Sequence, residues 1–537
     1  MESTSIPIPS TAEVPEGPSP PRRWWDPVRL ARRSAFPAVL QTVALIVLLS
    51  MIGAGWGLHG VAGIPIEGTL LYTNLATFGF WVAWFMALVL VLPAIGRLWC
   101  TVCPVGGCND LTARFGAKKS WPRPFQNFIL MAALLLGLTL AAEAFSLNRY
   151  PDYTSIMLAV VLCAALVAGL IFRGRVFCRY VCPIGGMVGL YSRLAPEEVG
   201  FRDQAVCRRC ESKACYHGSE RWYRLSLLRW KYTFGFRRPG CPVFIFPPEA
   251  SGNASCLQCT QCFKNCPYDN LRWGWKTPLT GLWQVRTRDR SEALLVIVLT
   301  GIVFYRLARF WSALRDAVES PAAAIATRVA FVGPVTFKVL KLLAGFLLWP
   351  VLFFLLLAVV AKLVSECSLV CLPAGKPQEP GLGYADDAID GMSLEERRGW
   401  EAKRYTVRGY LATYCFAFIP LLAGAYAAFS VIKLNEKLGY LPLVLADPAG
   451  IRTYLAINQV QILVAPESLL PLPWVRWAAL AAVLAGAVAS VWSVGRIGAA
   501  VYGPDTKSAT RGALVFRVGL LGLSGVMLYC LKTWLFR

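Results

Sequence analysis

The stretch CLQCTQCFKNCP places Cys256, Cys259, Cys262 and Cys266 in the order C-x2-C-x2-C-x3-C-P. Thiolates are the ligands that iron–sulfur clusters require, and bacterial ferredoxins use this run to grip one [4Fe-4S] cubane with three cysteines while the fourth reaches a second cluster. A tight loop of this spacing wraps three corners of a cubane and points backbone N–H groups at its sulfurs; Pro267 then turns the chain away. A zinc ribbon would instead want paired C-x2-C knuckles. Upstream, CRRCESKAC supplies Cys207, Cys210 and Cys215, and GCP supplies Cys241 before Pro242, a stretched copy of the same run. By the crossed ligation of two-cluster ferredoxins, one [4Fe-4S] cluster is expected on Cys207, Cys210, Cys215 and Cys266, and the other on Cys256, Cys259, Cys262 and Cys241. The segment between Cys215 and Cys241, YHGSERWYRLSLLRWKYTFGFRRPG, is basic and aromatic. It reads as a surface excursion against anionic lipid headgroups, with a docking face for a redox partner protein as the other reading. His217 within it reads as a surface residue rather than a ligand.

A second thiol pattern is repeated. GRLWCTVCPVGG (96–107) and GRVFCRYVCPIGG (174–186) each follow directly on an apolar run, and Cys108 follows the first copy. An internal repeat of this kind asks for a chemical reason. The spacing of Cys178 and Cys182 puts both sulfurs on one helix face, and the proline and glycines behind them are expected to end that helix and expose backbone amides. If both copies converge, Cys100, Cys103, Cys178 and Cys182 supply the four sulfurs that a cubane or a tetrahedral soft-metal site needs, a third redox or metal site. Thiol redox chemistry and plain helix-end packing stay open as alternatives. ECSLVCLPAG, with Cys367 and Cys371, is a looser third echo, while Cys163, Cys415 and Cys530 lie inside apolar runs and read as packing residues.

The elements that must position these cysteines are membrane helices. With 56% hydrophobic and 16% charged residues, the chain is far more apolar than a soluble domain. Spans of about 20 residues fit near 37–57, 70–95, 125–146, 154–173, 292–312, 336–364, 409–432, 477–497 and 513–533. The weakest of them is 292–312, which contains Arg306 and Arg309. The expected fold is therefore an α-helical polytopic membrane protein of about nine spans with a small inserted two-cluster ferredoxin-like α+β domain. Its parts are a tail over 1–36, a four-span unit over 37–173, the ferredoxin-like insert over 174–291, and a C-terminal unit of about five spans over 292–537 with a loop at 365–408.

A net charge of +23 suggests nucleic acid, but the basic residues flank spans, so no nucleic-acid partner is expected. Arg22, Arg23, Arg29, Arg32 and Arg33 precede the first span, whereas LHGVAGIPIEG after it has no Lys or Arg. The positive-inside rule then places the tail, the insert and the loops with Arg97, Lys118 and Lys119 in the cytoplasm of a prokaryotic inner membrane. A reducing compartment keeps thiols available for iron and disfavours disulfides. His59 and His217 are the only histidines, too few for the axial ligands of a two-haem b cytochrome, so haem b is excluded as the carrier.

The two span-end motifs followed by ferredoxin-type cysteine runs resemble the membrane-bound polyferredoxin family of NapH and the C-terminal part of NosR, and more distantly CcoG, over residues 37–290. The resemblance implies electron transfer between a quinol or cytoplasmic donor and a respiratory or periplasmic reductase pathway, as a quinol dehydrogenase or an oxidoreductase subunit. It places Cys100, Cys103, Cys178 and Cys182 at the family's membrane-edge cysteines, and the eight insert cysteines at its cluster ligands. The likeness to CcoG raises the alternative of a redox or metal-reducing assembly factor, and the motif-free C-terminal spans raise that of a structural anchor. His59, Glu67 and Glu143 are the candidates for accepting quinol protons, against the plainer reading that they are solvated.

Overall fold

Backbone in hydrocarbon has to close its own hydrogen bonds, so long apolar runs are committed to helix. The computed structural model describes residues 27–33, 35–58, 64, 70–227, 230–249, 252–284, 290–328, 333–366, 406–502 and 507–536, and it is mostly helical. Cys367, Cys371, His59, Glu67 and the loop 367–405 lie outside the described residues. A short helix α1 (Pro27–Arg32) leads into α2 (Ala38–Gly55) and α3 (Leu75–Ile95). After α3 come α4 (Leu98–Val102) and α5 (Pro104–Phe115), then α6 (Ile129–Ala144) and α7 (Pro151–Ile171). A π-helical turn, α8 (Phe177–Val181), and α9 (Pro183–Tyr191) close the first half.

Among the described residues, eight helices are long and apolar enough to cross a membrane, which fits an integral membrane protein. The expected third span is the 16-residue α6, shorter than those eight. Val39, Val43, Ile46 and Val47 on α2 are all more than half exposed, an apolar face suited to lipid rather than water.

The insert holds two antiparallel strand pairs. β1 (Glu197–Phe201) pairs with the strand Leu271–Trp275, Phe201 facing Leu271, and so brings the two ends of the ferredoxin-like segment together. Between them lie α10 (Gln204–Arg209), α11 (Ala214–His217), the hairpin of β2 (Gly218–Leu227) and β3 (Trp230–Pro239), and α12 (Gln261–Asn265); Leu271–Trp275 is β4. Residues of α9, assigned to the insert on sequence, pack instead in the main apolar cluster through Met187, Val188, Leu190 and Tyr191. The end of the tail packs on the insert: Ala31 of α1 is buried with Phe263 and Leu271, and Arg32 pairs with Asp269 at 2.7 Å.

In the second half, α13 (Arg290–Ala308) is one of the two most enclosed of the described spans, with Leu295, Val296, Val298 and Leu299 almost wholly buried. The arginines that weakened this span on sequence sit at its end, and both meet Glu143 at the end of α6, Arg309 at 3.1 Å and Arg306 at 3.9 Å. Charges at membrane depth survive by pairing in this way. Glu143 is thus an ion-pair partner and not a free proton acceptor. Around α13 pack α14 (Ser312–Arg328), α15 (Pro334–Glu366), α16 (Val407–Ala446) and, beyond α17 (Leu472–Tyr502), which packs on α16, the last helix α18 (Lys507–Leu535).

One buried ion pair ties the halves together. Arg193, just after α9, donates to both carboxylate oxygens of Glu292 at the start of α13, at 2.6 and 2.7 Å, with both side chains more than nine-tenths buried. Glu292→Ala would leave Arg193 charged, buried and without its carboxylate, a defect that costs about 3–5 kcal/mol. A large fall in thermal unfolding temperature in detergent is expected; an unchanged one would deny the pair a structural role.

Candidate metal centres

The repeat noted in the sequence is also a repeat of backbone geometry. Each copy opens on a glycine with positive φ, Gly96 at 55° and Gly174 at 72°, which turns the chain off the end of α3 or α7. Both lie against the insert: a side chain on Gly96 would strike Glu197 Oε1, and one on Gly174 would strike the carbonyl of Pro242. The next residue in each copy is a buried arginine, Arg97 (5% exposed) or Arg175 (2%). Arg97, counted on sequence as a loop charge, donates instead to the carbonyl of Ala254 at 2.6 Å.

The second cysteine of each copy is the N-cap of the helix that follows, with proline at the first helical position, so Pro104 and Pro183 begin helices α5 and α9 as well as ending the preceding turn. Cys182 Sγ accepts from Gly185 N at 3.2 Å, whereas Cys103 caps its helix without a side-chain hydrogen bond. The unequal spacing of the copies has a local cause. The C-x2-C copy runs through α-helical α4, whereas the C-x3-C copy runs through π-helical α8, whose wider turn absorbs the extra residue.

The four span-end thiols lie within electrostatic reach of one another, and Cys178 Sγ lies against Gly106 of the other copy, 3.6 Å from where a Cβ there would be. Cys178 has Cys182, Cys103 and Cys100 among its electrostatic neighbours, and Cys182 has Cys103 and Cys100. Cys108 has no thiol among the neighbours that shift it, and burial alone raises its pKa. Exposed His217 touches Tyr216 ring to ring. Cys415 and Cys530 are buried in the main apolar cluster, while Cys163 is exposed on α7.

The insert cysteines fall into two further groups. Cys215 neighbours Cys266, Cys210 and Cys207, and Cys207 neighbours Cys266 and Cys210. Cys262 neighbours Cys256, Cys259 and Cys241, with Cys215 of the other group next in strength. The chain achieves this by passing through left-handed backbone at Gln258 (φ 51°) and Thr260 (φ 65°), on either side of Cys259. Donors converge on the sulfurs: Gln258 N on Cys256 and Ile245 N on Cys241, both at 3.4 Å, and Asn270 Nδ2 on Cys207 at 3.1 Å. Such hydrogen bonds favour the thiolate.

Burial, the largest cause in each case, pushes the Cys182, Cys215, Cys256 and Cys259 thiols up to about 12 and that of Cys103 to about 11. Protein alone therefore leaves them protonated at neutral pH, and only a bound cation would displace those protons. Among the described residues, no three His, Cys, Asp or Glu side chains close on a point as ligands of one metal ion would. A cubane differs from a single ion in that its four thiolates bind four separate irons and share no point. Groups of four thiols with N–H donors on their sulfurs fit that demand.

No curated protein and no solved structure matches the chain. The sequence model of a 4Fe-4S binding domain matches residues 77–122 and 155–202. These stretches carry both copies of the span-end motif, with Cys100, Cys103, Cys178 and Cys182, and stop short of Cys207 and the other insert cysteines. By this match the chain carries a 4Fe-4S binding domain, placed on the ends of its own membrane helices.

Proposed function

We propose that this protein is a membrane-bound iron–sulfur electron-transfer protein in which three groups of four cysteines each hold one [4Fe-4S] cluster. The single observation that supports it most is the succession of the groups. Cys215 of the first group neighbours Cys262 of the second, and Arg175 beside Cys259 of the second also neighbours Cys178 of the span-end group. When bound, such clusters supply one-electron chemistry in which no bond is made or broken. The residues do the rest. Cys207, Cys210, Cys215 and Cys266 hold the end of the relay furthest from the spans, Cys241, Cys256, Cys259 and Cys262 the middle, and Cys100, Cys103, Cys178 and Cys182 the end at the membrane edge.

Burial keeps water from the middle group, where Cys259 is 8% exposed and its neighbours Gln258 and Thr260 are 1% and 2%. A redox partner would meet the insert, and a quinol or a reductase pathway would communicate with the membrane edge. Purified protein is expected to hold roughly twelve irons per chain and to bleach with dithionite; no more than trace iron would end the proposal.

In this reading the insert and tail lie in the cytoplasm of an inner membrane. The contacts of Arg32 with Asp269, of Arg97 with Ala254 and of Arg175 N with the carbonyl of Pro242 support one shared side for the tail, both span-end motifs and the insert. Asn74, bonded to the carbonyls of Ala54 and Ala449, belongs to the opposite end of α2. A cysteine introduced near residue 225 should resist an impermeant thiol reagent in intact cells, while one near 440 should react. Labelling at 225 before lysis would reverse the orientation.

A further inference from the structure

The arginines of the two motif copies stand between groups of thiols rather than at the edge of one. Arg175 donates from Nη1 to the carbonyl of Cys100 at 3.2 Å and from Nη2 to Asp110 at 2.5 Å, and its backbone N–H donates to the carbonyl of Pro242, next to Cys241. Its charge is felt by Cys100, Cys103 and Cys178 of the span-end group and by Cys259 of the insert. Arg97 repeats the arrangement, with Cys100 on one side and Cys256 on the other. Its bond to Ala254 and that of Thr101 Oγ1 to the carbonyl of Gln258, at 2.8 Å, fix this contact from the span side.

Both guanidiniums are almost fully buried, and the Nε of each is buried with no hydrogen-bond partner. A cation is costly to bury unless negative charge answers it. Among the described residues, Arg175 has one carboxylate in ion-pair contact, Asp110, and Arg97 has none. Besides Asp110 and Glu197, whose carboxylate lies against Gly96, the negative charge that the two arginines face is that of thiolate groups once these are ligated.

We infer that Arg97 and Arg175 are shared countercations of the span-end cysteine group and the Cys241–Cys256–Cys259–Cys262 group, setting the reduction potentials of both and coupling them. They are positioning residues: neither need touch iron. A positive charge held between two sites favours an added electron at each, and an electron at one site weakens its pull at the other. The repeat explains why there are two of them, since each motif copy carries its own Gly-Arg into the same seam. The inference rests on the proposed cluster assignment, and the two can fail separately.

The test is potentiometric titration followed by EPR on the full-length protein in detergent. Wild-type protein without iron would fail the cluster assignment itself. With iron present, Arg175→Gln is expected to lower the midpoint potentials of the two groups that flank it and to leave that of the Cys207–Cys210–Cys215–Cys266 group in place. Arg175→Lys should return most of the shift because it keeps the charge. Asp110→Asn should move the same two potentials upward, since it leaves the arginine uncompensated. Arg175→Gln with full iron and unmoved potentials would overturn the inference. Should that variant lose its iron, unmoved potentials in Asp110→Asn would overturn it equally.

Discussion

Cys259→Ser is expected to remove one cluster, about a third of the iron under the three-group reading, and to loosen the insert around it. The reasoning starts from how little apolar core the insert owns. Its cluster of buried residues comprises Ala31, Phe263 and Leu271, and the first of these is borrowed from α1. A domain with so small a core relies on bound metal for its folding energy, as small metal-binding domains do. Cys259 sits at the tightest point of the loop, between two left-handed residues whose side chains, Gln258 and Thr260, are buried. That strained backbone persists only if something over-determines it. Without the middle ligand the loop has little reason to stay so wound, and its hydrogen bond from Thr101 to the carbonyl of Gln258, which seats the insert on the membrane unit, should weaken as well. Iron per chain and the EPR signal of the reduced protein check the first part, and protease sensitivity of the insert checks the second. An unchanged EPR signal would take Cys259 out of the ligand set.

What the sequence makes legible of the candidate site is its local part. The run around Cys256 to Cys266 has the spacing that a cubane asks of a loop, a pattern carried by near-consecutive residues. The span positions were equally legible, since hydropathy acts residue by residue along a helix. What escaped was whatever depends on two distant segments meeting. Ala31 and Arg32 looked like tail and flanking charge, yet they cover Phe263 and pair with Asp269. Glu143 looked solvated until Arg306 and Arg309 came beside it from a helix that follows the insert.

Arg97 and Arg175 are the instructive case, for the signal was visible as a Gly-Arg opening both motif copies. The positive-inside rule accounted for Arg97 as a loop charge, and nothing in a linear pattern says that a charge is 5% exposed. The unequal cysteine spacing fits no standard cluster run, and the π-turn that offsets it leaves no signature in residue types.

Cys182→Ala should abolish electron transfer to the membrane edge while leaving the insert spectroscopically intact, and this separates the span-end group from ordinary packing. Under the packing reading, a half-buried cysteine at a helix start loses one small side chain, with a cost of about 1 kcal/mol and little change in activity. The geometry argues otherwise on three counts. Cys182 occupies the same capping position in its copy as Cys103 does in the other, and its sulfur receives the N–H of Gly185. A π-helical turn, a costly and uncommon device that marks functional sites, is what brings it there. Its electrostatic neighbours include Cys103 and Cys100 from the other copy, so its surroundings reach beyond its own pair.

Mere packing asks for none of these, and a shared cluster asks for all. The variant should therefore lose about a third of its iron, retain the EPR signals of the insert groups, and stop passing electrons from the dithionite-reduced insert to an acceptor dissolved in the membrane phase. Full iron content with near-normal transfer would return Cys182 to the role of a helix cap. A variant lacking all eight insert cysteines gives the complementary reading: if it inserts and folds, iron that stays with it can only be held by the membrane helices themselves.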